Sequence, residues 1–151
     1  MTTESEIRPR IGPVAEGDLR AIRQVLDEGK LPHEDITPEH LAFFLGAWVD
    51  GSLVGVVGLE PFGSIGLVRS LAVTVPQRER GIASDLLRRI EEAAVKAGVS
   101  TLYGLTETIE DLLLRRGYAR IDRSGAPAEI RETPEFAGLC PESAALLVKK
   151  L

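Results

Sequence analysis

From Pro76 to Leu87 the chain reads Pro-Gln-Arg-Glu-Arg-Gly-Ile-Ala-Ser-Asp-Leu-Leu. Two arginines stand just ahead of a small-residue turn that runs into an apolar-periodic helix. The first amides of a helix have no intrahelical acceptor, and the helix dipole adds positive potential at the same end. A helix start is therefore a natural anion site. Gly81 lets a bulky anion approach the backbone, Ala83 keeps the next position small, and Arg78 and Arg80 add formal charge. The candidate anion-binding residues are thus Arg78, Glu79, Arg80, Gly81, Ile82, Ala83 and Ser84, and a pyrophosphate suits them better than a carboxylate. The competing reading is a charged strand-to-helix turn with no ligand. Two other phosphate signatures are absent: the Gly-Lys-Ser/Thr ending of nucleotide triphosphatases and the Gly-x-Gly-x-x-Gly dinucleotide fingerprint.

The elements that must position this turn are readable from periodicity. Ile7–Ile11 alternates as a short strand. Pro13–Gly29 carries Leu19, Ile22, Val25 and Leu26 at helical spacing and ends on a glycine. Thr37-Pro38-Glu39 is an N-cap followed by proline at the first helical position. Phe44–Val49 and Leu53–Leu59 flank Asp50-Gly51, a hairpin signal. A turn at Phe62-Gly63-Ser64 leads into a third run, Ile65–Val75, which Pro76 ends. The main helix shows Leu86, Leu87, Ile90, Ala93, Ala94 and Ala97 on one face and stops at Gly98. Ser100–Leu105 is a strand, Ile109–Arg116 a helix, Tyr118–Asp122 a strand, Ala126–Cys140 a run of short helical turns, and Ser143–Leu151 a final strand. This order predicts an α/β (α+β) mixed sheet of about seven strands flanked by about four helices.

Composition narrows the function classes. The 151 residues fit one domain, 1–151, long enough to bury a core. Net charge is −5, without the basic footprint of a nucleic-acid or membrane-surface binder. One cysteine, Cys140, excludes an intramolecular disulfide and a cysteine metal cluster, only two histidines, His33 and His40, are present, and no metal is expected. No signal peptide or membrane-length apolar run is present, so a cytoplasmic protein is expected.

The turn and the strand before it, Leu71-Ala72-Val73 then Arg78-x-x-Gly81-x-Ala83, resemble the coenzyme A pyrophosphate loop of the GNAT N-acetyltransferase superfamily. Gly58-Leu59-Glu60, Gly66–Val73, Leu105-Thr106, Arg116-Gly117-Tyr118 and Phe136-x-x-Leu139-Cys140-Pro141-x-Ser143-Ala144 look like one subgroup. It is the small acetyltransferases of bacterial arsenic-resistance operons, relatives of the N-acetylglutamate synthase acetyltransferase domain. The resemblance covers nearly the whole chain. It implies a GNAT fold with a partly splayed sheet, acetyl-CoA as donor, and a small-molecule amine, an amino acid or amino-acid-like compound, as acceptor. It also implies that Leu71, Ala72 and Val73 pair with pantetheine and that the Val73 amide is the oxyanion donor. A non-catalytic acyl-CoA-binding module is the alternative.

Acceptor chemistry then needs a base, because an alkylammonium must lose a proton before it attacks. Many relatives carry a glutamate on the strand before the turn, and Ile65–Val75 has no carboxylate. Glu60, at the end of the preceding strand, is the nearest candidate base, or else a solvated strand-end residue; His33 is a second candidate. Arg69 shares a face with Leu71 and Val73 under strict alternation. Arg69 and Arg131 each have the shape to clamp an acceptor carboxylate, or to serve as structural or surface charges. Thr106 lines the acceptor pocket or caps the next helix. Relatives place a thiolate-protonating tyrosine where Leu113 stands, and leucine donates no proton. Tyr103 and Tyr118 read as sheet packing, and Cys140 as a buried structural thiol. The edge of the last strand is open to pairing with a second copy as a homodimer.

Overall fold

Apolar periodicity becomes a seven-stranded sheet in the computed structural model, which describes residues 9–74, 81–139 and 143–151. The strands are β1 (Arg10–Pro13), β2 (Phe44–Val49), β3 (Ser52–Phe62), β4 (Ile65–Val73), β5 (Thr101–Thr106), β6 (Ala119–Ile121) and β7 (Ala145–Lys150), in the order β1-β2-β3-β4-β5-β7-β6. Pairings β1–β2, β2–β3, β5–β7 and β6–β7 are antiparallel, and β4–β5 is parallel. A parallel pair needs a long crossover, and α2 (Ile82–Lys96) supplies it. The other helices are α1 (Leu19–Glu28), α3 (Glu110–Arg115) and α4 (Ala128–Arg131). The expected mixed sheet and its element order are therefore observed.

Several local expectations are corrected. The first strand is Arg10–Pro13 rather than Ile7–Ile11. The first helix, α1, starts at Leu19 rather than Pro13, which belongs to β1; it ends against Gly29 as read, although Gly29 keeps a right-handed φ of −83°. The left-handed reversal falls on Lys30, at φ 58°. The third run reaches Val73, and Val75 lies outside the described residues. β3 runs on to Phe62, so Glu60 is inside a strand and buried rather than solvated at its end. The last strand is not an edge: β7 is paired on both sides, by β5 and β6. The open edges belong to β1 and β6, which removes the edge read as a homodimer surface. Among the described residues no helix is long and apolar enough to cross a membrane.

The chain divides into two compact units, Met1–Gly58 with Ser70–Arg89, and Leu59–Arg69 with Ile90–Leu151. In the first, Ile22, Val25 and Leu26 of α1 close over Ile36, Leu41, Phe44, Val56 and Ala72. Their spacing of three and four residues makes one helical stripe, whose burial drives docking onto the sheet. The β2–β3 hairpin turns at Asp50-Gly51, both with positive φ (50° and 80°), as a two-residue primed turn demands. Phe44 lies directly across the ladder from Gly58, and its ring fills the space a side chain there would need.

In the second unit Leu67, Leu105, Ala126, Ile130, Ala144 and Leu146 form the core. A charged hub supports it. Buried Glu91 accepts from Arg116 Nη2 at 2.9 Å and from Lys149 Nζ at 3.0 Å, joining α2, the α3–β6 turn and β7. The Tyr118 hydroxyl is buried beside Glu91 without a well-formed hydrogen bond among the described residues. Burial, and then the Glu91 charge, push this phenol well above its ordinary range.

Two stability outcomes follow from this packing. Gly58→Ala forces a methyl into the fully buried Phe44 ring and lowers unfolding free energy by about 1–3 kcal/mol. The check is a lower urea midpoint at unchanged slope; an unmoved midpoint would show that the ring yields freely. For Tyr118 the raised folded pKa means that its linked stability is present below the ordinary value of 10.0 and lost as pH rises above it. There the unfolded chain releases the phenol proton and the folded chain holds it. Tyr118→Phe removes that linkage, and alkaline unfolding followed by circular dichroism should lose stability less steeply, by about 1.4 kcal/mol per pH unit.

Candidate active site

β4 carries residues of both units, and its geometry changes along its length. The parallel ladder pairs Ile65, Gly66, Leu67 and Val68 with Thr101, Leu102, Tyr103 and Gly104. Two residues later, buried Ser70 takes a left-handed φ of 59°. A β-carbon in that region is crowded, and such a residue breaks the two-residue pleat. Strict alternation therefore does not carry through Ser70, and the shared face for Arg69, Leu71 and Val73 loses its basis. Beyond the break Leu71, Ala72 and Val73 are buried in the first unit, where Ala72 packs with the α1 stripe. The next amide, Thr74 N–H, donates to Val54 O at 2.8 Å.

The helix start read as an anion socket is partly described: Arg78, Glu79 and Arg80 lie outside the described residues. Gly81 precedes α2 with φ 79° and open space where a Cβ would stand. Asp85 N–H donates to Gly81 O at 3.0 Å, the first helical bond of the series. The amides of Ile82, Ala83 and Ser84 thus belong to the turn that helix geometry leaves without internal acceptors. Ile82 is buried, and with Leu86 it closes over Gly55 of β3. Apolar contacts seat the helix, while Gly81 is exposed and Ala83 and Ser84 are half-exposed. Ile82 accordingly has its backbone to offer an anion. Open space at Gly81, a left-handed turn and an accessible first turn of a 15-residue helix fit a diphosphate group.

The residues read as serving the acceptor fall in the second unit. Arg69 has a side chain with no solvent exposure. Its Nη1 donates to Glu60 Oε1 at 2.6 Å, and its Nη2 lies 2.8 Å from Glu135 Oε1. Both glutamates are buried. The guanidinium therefore bridges two carboxylates. The structure brings Glu60 and Arg69 together and adds Glu135, which sequence reasoning missed. A signal was present: Thr133-Pro134-Glu135 repeats the Thr-Pro-Glu of residues 37–39. It opens the helical turn Glu135–Leu139, as the earlier copy precedes the turn His40–Phe43.

The remaining candidates have partners or surroundings of their own. Buried Thr106 accepts through Oγ1 from Thr108 N–H and Ile109 N–H, both at 3.0 Å, and so caps the approach to α3. Arg131 is exposed at the end of α4. His33 hydrogen-bonds Asp27 through Nε2 at 2.6 Å, in the first unit. Leu113, where the resemblance leads one to expect a tyrosine, is buried, and Tyr103 packs against the second core. Cys140 lies outside the described residues.

Comparison with known proteins supplies the context for this geometry. N-acetylglutamate synthase from Neisseria gonorrhoeae, in complex with coenzyme A and N-acetyl-glutamate, superposes with a TM-score of 0.82 at 24% identity. That match covers 95% of this chain and 35% of the synthase, so the chain spans about a third of that protein's length. Rv2747 from Mycobacterium tuberculosis, also with CoA, gives a TM-score of 0.78 at 19% identity over 95% of this chain and 99% of that one. The PaiA N-acetyltransferase of Thermoplasma acidophilum, with coenzyme A, gives 0.71 at 16% identity over 96% and 100% of the two chains. These likenesses share the fold. No curated protein matches the sequence. The model of the acetyltransferase (GNAT) family matches residues 12–120, well over half of the sequence; the chain belongs to that family of N-acetyltransferases, which draw on acetyl-CoA.

Proposed function

We propose that this protein acetylates the primary amine of a small molecule, an amino acid or amino-acid-like compound, by direct attack on the thioester. The observation that carries the reading is the start of α2. A left-handed, uncrowded Gly81 leads into an accessible helix N-terminus, that of the next helix in the chain after β4, where the resemblance to the family puts the cofactor diphosphate. Likeness to the small acetyltransferases of arsenic-resistance operons, carried by motifs such as Arg116-Gly117-Tyr118, directs the choice of acceptor toward amino acids and their analogues.

Acetyl-CoA supplies the acetyl group as a thioester, with a thiolate as leaving group. Amides of Gly81, Ile82, Ala83 and Ser84 hold the diphosphate, with Arg78 and Arg80 adding charge. Leu71, Ala72 and Val73 present backbone groups to the pantetheine, and the Val73 N–H steadies negative charge on the thioester carbonyl oxygen. Glu60, fixed through Oε1 by Arg69, takes the ammonium proton and frees the nitrogen lone pair. With both terminal nitrogens of Arg69 beside glutamates, an acceptor carboxylate falls to Arg131, and the Thr106 hydroxyl retains a proton to donate. Leu113 offers no proton to the thiolate, so water does.

Two measurements test this. Gly81→Glu places an anion in the diphosphate site at a φ that side chains rarely adopt, and calorimetric titration with coenzyme A should show binding lost; wild-type affinity would put the socket elsewhere. Glu60→Gln should lower kcat by about 100- to 10,000-fold, assayed as free thiol with acetyl-CoA and a panel of amino acids and analogues. Turnover by the wild type on any of these amines excludes a module that merely binds acyl-CoA. A panel with no thiol release would favour that module, whose specific support is the buried Leu113.

A further inference from the structure

We infer that Glu135 is a positioning residue for the acetyl transfer: acting through Arg69, it fixes the carboxylate of Glu60. This rests on the reading of Glu60 as the base. Glu135 stands 66 positions (135 − 69) beyond Arg69, yet its Oε1 lies 2.8 Å from Arg69 Nη2. Arg69 Nη1 holds Glu60 Oε1 at 2.6 Å. The guanidinium is planar and rigid, so a displacement at one nitrogen is carried to the other. Its side chain is wholly shielded from solvent, and these two carboxylates are among the groups that hold its orientation.

The turn that carries Glu135 is itself firmly held. Buried Thr133 donates through Oγ1 to Ile130 O at 2.7 Å and accepts from Phe136 N–H at 3.3 Å. Ala137 N–H donates to Thr133 O at 2.9 Å. The Phe136 ring lies 4.5 Å beneath the Arg123 guanidinium, whose Nη1 donates to Ala144 O at 3.0 Å. The turn bearing Glu135 is thus anchored to α4 on one side and, through Arg123, to the residue just before β7 on the other. Two carboxylates around one buried cation is a costly arrangement on stability alone, because apolar side chains of similar volume do as well or better. An arrangement that fixes one carboxylate by means of a second accounts for it.

The test is a double-mutant cycle on the full chain: Glu60→Gln, Glu135→Gln, both together, and Glu135→Asp. The readouts are thiol release from acetyl-CoA with the amino-acid panel, coenzyme A affinity by calorimetry, and thermal unfolding of each variant. Glu135→Gln should lower kcat about tenfold or more at unchanged coenzyme A affinity, with Glu135→Asp recovering part of the loss. In the Glu60→Gln background the same change should add less than about twofold. If Glu135→Gln does not fold, Glu135→Asp alone and combined with Glu60→Gln completes the cycle. Wild-type kcat in the Glu135 variants, full multiplication of the two losses, or a parallel fall in coenzyme A affinity each overturns the inference while Glu60 keeps its role. Wild-type kcat in Glu60→Gln, or no turnover by the wild type on any amine, overturns the base reading and this one with it.

Discussion

A guanidinium shut away from water is the constraint around which the second unit is arranged. Arg69 sits in β4 with no exposed side-chain surface, and a buried cation must be matched by acceptors close at hand. Glu60 and Glu135 meet that demand at 2.6 and 2.8 Å. The demand reaches outward from there. β3 must run past Gly58 to bring Glu60 alongside, and the segment before β7 must coil tightly enough to return Glu135. Thr133 and the Arg123–Phe136 contact make that coil possible.

The first unit meets a different requirement, a helix that starts in a defined place with its first turn accessible. Apolar packing does this. Ile82 and Leu86 press on the bare backbone at Gly55, and the α1 stripe fills the space over Ala72 and Val56. Because the buried side chains point toward the sheet, Gly81, Ala83 and Ser84 face outward. The left-handed residue ahead of the helix is glycine, where any other residue would carry strain. The proposed anion site is then a consequence of where the amides end up.

Ser70, the first residue of β4 that belongs to the first unit, is a buried non-glycine residue with φ 59°. Such residues persist when the surroundings over-determine them and they concentrate at functional sites. Here it separates the stretch of β4 that carries Arg69 from the stretch read as facing the cofactor. One strand can then serve two environments without a continuous pleat.

Much of the architecture was legible in the residues. Apolar spacing of 3 and 4 marked α1 and α2, Asp50-Gly51 marked the hairpin, and glycines marked the ends of α2 and α3, because these are local preferences that tertiary packing reinforces. The turn Arg78–Ser84 and the strand before it identified the family. Glu60 was found as a nearby carboxylate, but its burial was not: β3 continues through Pro61 to Phe62, and proline is a poor strand signal. Alternation misled at Ser70, since nothing local distinguishes a serine that will be forced left-handed. Glu135 was passed over because an ion pair across 66 positions has no sequence period. What the sequence determined by itself was therefore the set of elements and the turn proposed to hold the donor, both products of short-range pattern. What only the tertiary structure decided was the state of the charged side chains: which carboxylates Arg69 holds, and that the hydroxyl of Thr106 caps a helix. Those depend on burial and on partners distant in sequence, and a buried charge declares its partner only when the fold has closed around it.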